Sequence, residues 1–141
     1  VNGNTDGSWT GGSCSHTYKD PNEQPWWIID LGMSYNILKI VIWNRSSVGS
    51  RLHDFAVELS CEFDGVNADS PSWSRKYLQN GTLENNPTAI AFPESSVGRF
   101  IKIQNALDNE SSHPSADTLS LCEFEVYAEY ADCECEFGFN P

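Results

Sequence analysis

Three side chains beside two apolar runs carry the clearest capacity for chemistry: His16, Arg45 and Arg51. His16 follows Cys14-Ser15, Arg45 closes the run Ile40-Val41-Ile42-Trp43-Asn44-Arg45, and Arg51 comes shortly after. Between them stands Pro25-Trp26-Trp27-Ile28-Ile29-Asp30-Leu31-Gly32. An arginine presents several N–H donors in a fixed plane and stays charged at any relevant pH. A neutral imidazole donates from one nitrogen while the protein holds the other. Donors of this kind read oxygen atoms. Taken singly, an arginine in a loop after a strand is usually a solvated charge, and His16 is an ordinary loop histidine. His53 and His113 have no partner pattern and receive no role.

A second group is rich in oxygen. Asn2-Gly3-Asn4-Thr5-Asp6-Gly7 resembles the opening of a calcium-binding EF-hand loop, with alternating oxygens and a glycine for the sharp turn. The twelfth position of such a loop is Ser13, where the EF-hand needs a bidentate Glu, so the EF-hand is excluded. Two readings stay open: a calcium-binding turn completed by distant residues, or an ordinary Gly/Asn turn.

These groups must be positioned by strands. Apolar runs at 26–31, 37–43, 55–61, 89–92, 100–103 and 122–127 are short and separated by Gly-, Pro-, Asn- and Ser-rich segments. Phe55, Val57, Leu59 and Cys61 alternate with Ala56, Glu58 and Ser60, while Leu38, Ile40 and Ile42 are expected on one face of their strand with Lys39 opposite. Trp26, Trp27 and Trp43 sit inside strands and read as core. Trp73 to Tyr77 reads as a short strand between long surface loops at 62–72 and 78–88. No stretch keeps a helical period, so the pattern predicts an all-β sandwich.

Composition bounds the function. The 141 residues fit one domain, and a net charge of −12, from 20 acidic against 8 basic side chains, argues against phosphate backbones and anionic membranes. Such an acid excess is compatible with cation binding, although scattered carboxylates mostly form a solvated face. No apolar run is long enough for a spanning helix, and the start, Val1-Asn2-Gly3-Asn4, lacks the apolar core of a signal peptide; the expectation is a mature protein or an excised piece of one. Cysteines at 14, 61, 122, 133 and 135, with N-x-S/T sequons at Asn44, Asn80 and Asn109, favour a secreted protein or an ectodomain. Catalytic fingerprints such as G-x-S-x-G, H-E-x-x-H or a phosphate loop are missing, and Cys133-x-Cys135 lacks the second pair a zinc site requires.

The order of motifs resembles the F-type lectins, the fucose-binding branch of the discoidin-like (coagulation-factor C-type) domains. The shared features are the His after Ser-Cys-x, the Pro-Trp-Trp-x-x-Asp-Leu strand, the Asn-Arg loop with a later basic residue, Gly98-Arg99-Phe100-Ile101, and Leu119-Ser120-Leu121-Cys122-Glu123-Phe124-Glu125-Val126. They span residues 1 to about 127. The resemblance implies a discoidin-like jelly-roll sandwich over 1–130, with one more strand usual before the first turn. It is followed at 131–141 by a linker or the start of an EGF-like segment, in keeping with C-x-C-x-x-G-F.

The resemblance further implies a non-catalytic, extracellular module for terminal L-fucose or a related sugar. His16, Arg45 and Arg51 match the family's sugar-contacting triad, and Trp9-Thr10 matches the loop whose aromatic lines the methyl side. It implies calcium held by Asn2, Asn4, Ser13, the Cys122 carbonyl and Glu123, and a Cys14–Cys122 disulfide that leaves Cys61 as a buried free thiol. Partners on this reading are fucosylated glycans or glycoproteins, without nucleic acid or membrane insertion, and with avidity from several copies. Three departures bear on the site. The loop from Arg45 to Arg51 is one residue shorter than the family's, Ser47 replaces an orienting acid, and Val48-Gly49 stands where many members carry an adjacent-cysteine disulfide. Asp54 is the candidate substitute acid. The alternative is a discoidin-like structural or cell-adhesion module that has lost sugar binding.

Overall fold

The computed structural model describes residues 2–17, 24–106 and 118–133. Its strands are β1 (Ser15–His16), β2 (Trp26–Trp43), β3 (His53–Ser60), β4 (Ser74–Thr82), β5 (Thr88–Ala91), β6 (Val97–Asn105), β7 (Ser120–Leu121) and β8 (Glu123–Tyr130). Two 3-10 turns, Trp9–Gly11 and Gly49–Arg51, are the helical elements among the described residues. None is long and apolar enough to cross a membrane.

The order β4-β3-β6-β2-β5, with β8 also on β2, makes β2 the spine of a β-sandwich. Its first part pairs antiparallel with β6 from Trp26 opposite Gln104 to Asp30 opposite Phe100. Its second part lies between β8 and β5. The two expected runs at 26–31 and 37–43 are thus one 18-residue strand. Gly32, at φ +80°, bends it without ending it, and the Asp30 carboxylate accepts the Gly32 N–H at 2.8 Å. A glycine adopts that left-handed conformation without steric cost.

Alternation predicts the β3 face correctly: Phe55, Val57 and Leu59 are buried with Ile101 and Ile103 of β6. It fails at Leu38, which is 46% exposed while Ile37 and Ile40 are buried. A register shift between Ile37 and Lys39 against β8 adds one residue and reverses the faces. Trp27 packs against the core, its ring 5.2 Å from Phe124. Trp26 is not core; it is 40% exposed on the opposite face, edge-on to Phe63. The strand expected at Trp73–Tyr77 begins at Ser74 and runs on to Thr82, taking in part of the expected 78–88 loop.

Cys14 and Cys122 form the expected disulfide. Cys61 is not a buried free thiol. It is exposed just past β3 and bonded to Cys133. The alternation that made it inward-facing ends at Ser60, where the chain leaves the sheet. The EGF-like reading beyond Cys133, and the readings of His113, Asn109 and Cys135, lie outside the described residues.

Candidate functional site

The loop end of the sandwich is built from both ends of the chain. β1 pairs with β7, setting His16 opposite Ser120, and the Cys122 N–H donates to the Trp43 carbonyl at 2.9 Å. The first loop then docks on the arginine loop: the Ser46 N–H and hydroxyl both donate to the Gly7 carbonyl, at 2.9 and 3.0 Å.

Arg45 leaves β2 through a tightly held Asn44. Asn44 is 5% exposed; its Nδ2 donates to the Gly49 carbonyl at 2.8 Å and its Oδ1 accepts the Arg45 N–H at 2.8 Å. From across the loop, Asn86 grips the same residue, accepting the Asn44 N–H at 2.9 Å and donating to the Asn44 carbonyl at 3.0 Å. Nothing in the sequence singled out Asn86; its partner is 42 residues away.

Trp9, His16 and Arg45 meet. The Trp9 ring lies 5.1 Å from the His16 ring and 4.6 Å from the Arg45 guanidinium carbon, within cation–π range. The Arg45 Nε is buried without a hydrogen-bond partner among the described residues. His16 Nδ1 lies 2.8 Å from the Thr17 carbonyl, which only accepts, so Nδ1 carries the proton. The neutral ring therefore offers Nε2 as an acceptor, not as the donor expected above. A ligand hydroxyl facing it donates.

Arg51 ends the second 3-10 turn, where Val48 takes φ +52° and the Arg51 and Leu52 N–H groups bond back to Val48 and Gly49. The Asn44–Gly49 bond ties this turn to Arg45. The Arg51 guanidinium is not in contact with the Trp9–His16–Arg45 group by any hydrogen bond or ion pair among the described residues. Asp54 does not supply the missing acid to either arginine. Its carboxylate is bonded to His53 Nδ1 and the Gly81 N–H, each at 2.7 Å, at the buried start of β3.

The oxygen-rich turn comes just before Trp9 in the chain. Asn2, Asn4 and Asp6 each turn a side-chain oxygen back onto the N–H two residues on, at 2.9–3.0 Å. The Ser13 hydroxyl lies 3.0 Å from the Asn4 carbonyl, 3.1 Å from that of Asp6 and 3.3 Å from that of Cys122. One hydroxyl proton serves one of these acceptors at a time, so the oxygens are clustered beyond what hydrogen bonding needs. Glu123, 3% exposed, closes the turn: one carboxylate oxygen accepts the Asn2 and Gly3 N–H groups at 2.9 and 2.6 Å, the other the Phe124 N–H at 2.8 Å. Burial alone would raise its pKa; the bonds from Phe124, Asn2 and Gly3 outweigh it and hold the carboxyl below its ordinary value. Among the described residues no cluster of three His, Cys, Asp or Glu side chains is suited to a metal.

The family model for the NedA-like, galactose-binding domain, of the F5/F8 type C group, matches residues 1–103. The chain belongs to that family. It is similar to Fucolectin-1 of Anguilla japonica, 30% identical over 130 residues that make up 91% of this chain and 65% of the relative. It thus spans just under two-thirds of that relative's length. A fucolectin from the serum of Morone saxatilis (striped bass) superposes with a TM-score of 0.73 at 25% identity, over 91% of this chain and 40% of that one. The lectin domain of Lectinolysin, complexed with Lewis B antigen, superposes with a TM-score of 0.68 at 26% identity, over 92% of this chain and 82% of that one. These likenesses place the chain with the F-type lectins inside the discoidin-like family.

Proposed function

We propose that this domain is a non-catalytic lectin that binds terminal L-fucose on glycans at the Trp9–His16–Arg45–Arg51 end. The observation that carries the reading is the packing of Trp9 against both His16 and Arg45, which joins an apolar wall to a donor and an acceptor in one place. Fucose carries hydroxyls on one edge and a methyl group on the other. The Arg45 N–H groups donate to ring and hydroxyl oxygens, His16 Nε2 accepts from a hydroxyl, and the Trp9 ring faces the methyl. Arg51, held one turn away, supplies a second set of donors.

Calcium is part of the proposal. The carbonyls of Asn4, Asp6 and Cys122, the Ser13 hydroxyl and the Glu123 carboxylate are the hard oxygen donors that calcium prefers. Asn2 spends its side-chain oxygen on the Asn4 N–H and contributes to the turn's shape. Bound there, a cation would neutralise the converging carbonyl dipoles and join the first turn to the start of β8, which holds Trp9 in place. One site for one small sugar binds weakly, so working avidity would come from several copies.

The test is titration of L-fucose into wild type, Arg45→Ala and Arg51→Ala. Each substitution is expected to cost about 1.5–3 kcal/mol of binding, the worth of charge-assisted hydrogen bonds. Absence of saturable binding by wild type would refute the lectin reading. The second reading, an adhesion module without sugar binding, is favoured by Ser47 at the acid position and by the commitment of Asp54 to His53 and Gly81. Wild type without saturable binding would count for it, whereas two mutants that bind fucose as wild type does would refute the placement of the sugar site at Arg45 and Arg51.

A further inference from the structure

A separate cleft of about 290 Å³ opens on the outer face of the β3–β6 pair. Ala56 and Glu58 of β3, and Lys102 and Gln104 of β6, line it, alternating with the core residues Phe55, Val57, Ile101 and Ile103. The register sets Ala56 opposite Gln104 and Glu58 opposite Lys102. The chain between β3 and β4 forms another wall with Asp69 and Trp73.

This wall is pinned from inside. The buried Lys102 ammonium bonds to the Glu58 carboxylate at 2.7 Å and to the Ala68 carbonyl, and lies 4.8 Å from the centre of the Trp73 ring. A buried ammonium is costly unless paired and hydrogen-bonded, and here it is both. Phe63 reinforces the wall, packed between Trp26, Trp73 and Phe100. The cleft is therefore held open by a charge-paired strut and an aromatic cluster.

Its chemistry selects a ligand class. Glu58 and Asp69 balance Lys102 and Arg75, and Arg75 Nε lies 3.8 Å from Glu58, so the lining favours neither an anion nor a cation. The neutral groups, by contrast, are under-engaged. Gln104 Nε2 reaches the Gln24 carbonyl and Asp69 only at 3.5 Å, the outer limit of a hydrogen bond, and the Trp73 indole N–H, buried from solvent, has no partner among the described residues. Planar amides and a carboxylate pair readily with neighbouring hydroxyls, and an aromatic wall suits the C–H face of a ring. The volume lies at the lower end for small-molecule sites, about 300 Å³, and suits a single ring. We propose that this cleft is a second ligand site, specific for a neutral saccharide ring and independent of the loop-end site.

The test is an NMR titration of the ¹⁵N-labelled protein with D-galactose and, separately, N-acetyl-D-glucosamine, in wild type and in Arg45→Ala. Saturable shifts are expected at the Ala56 and Gln104 amides and the Trp73 indole with at least one sugar. They should be equal in wild type and Arg45→Ala, which separates this cleft from the fucose reading. The Asp69→Ala/Gln104→Ala double variant should bind at least tenfold more weakly, with the Ile40 and Ile90 amides reporting an intact β2–β5 pair. If those amides move, Asp69→Asn, a change at an exposed position, replaces it with the same expectation of weakened binding. The proposal is overturned by the absence of saturable shifts at the three cleft signals with both sugars, by their loss in Arg45→Ala, or by undiminished binding in the folded cleft variant.

Discussion

Replacing Glu123 with Gln changes one atom of a buried side chain that receives three backbone N–H groups, from Asn2, Gly3 and Phe124. A carboxamide has one acceptor oxygen. If that oxygen faces Asn2 and Gly3, its NH2 group meets the Phe124 N–H donor to donor. One charge-assisted bond is lost and two become neutral, and at about 1.5–3 kcal/mol for a bond to a charged group the expected loss is about 2–4 kcal/mol. The effect depends on pH in a definite direction. The folded carboxyl titrates below its ordinary 4.5, so its contribution is fully present above that value and is lost as pH falls through the depressed folded value. Urea unfolding at pH 7 should therefore show the full gap between wild type and Glu123→Gln, and the gap should narrow progressively below about pH 4. A variant as stable as wild type at pH 7, or a gap unchanged by acid, would refute the argument that this carboxylate holds the first turn.

Other consequences of the same geometry are open to measurement. Adding about 10 mM calcium to metal-stripped protein should stabilise it by about 1.4–2.7 kcal/mol for a dissociation constant of roughly 10⁻⁴–10⁻³ M, reversibly on chelation; an unchanged melting temperature would count against the carbonyl site. Asn86→Ala removes both bonds to the Asn44 backbone and should cost about 1–3 kcal/mol of stability and weaken fucose binding, although Asn86 touches neither arginine side chain. Mass spectrometry of protein secreted from eukaryotic cells should find Asn44 without a glycan, because its Nδ2 is buried and bonded to Gly49; stoichiometric modification there would show that the Arg45 loop is folded differently.

Alternation alone made the Phe55-Val57-Leu59 face legible, and family resemblance the Cys14–Cys122 pairing; both appear in the structure. Of the residues that the resemblance put at one end, Trp9, His16 and Arg45 are in contact, while no hydrogen bond or ion pair among the described residues joins Arg51 to them. Local periodicity reports which face a residue takes while the strand stays regular, and motif order reports which loops share an end. Other features depend on register and on partners far along the chain. An added residue near Leu38 turned it outward, and the end of β3 at Ser60 left Cys61 exposed to meet Cys133. The Thr17 carbonyl chose the tautomer of His16, and Gly81 and His53 took the acid that the arginine loop lacks. The cleft beside Lys102 exists only because β3, β6 and the chain between β3 and β4 converge there. A one-residue shift in pairing exchanges the two faces of a strand, and a hydrogen-bond partner dozens of residues away leaves no local pattern. Sequence determined which groups this domain carries; the paired sheets decided which of them face one another.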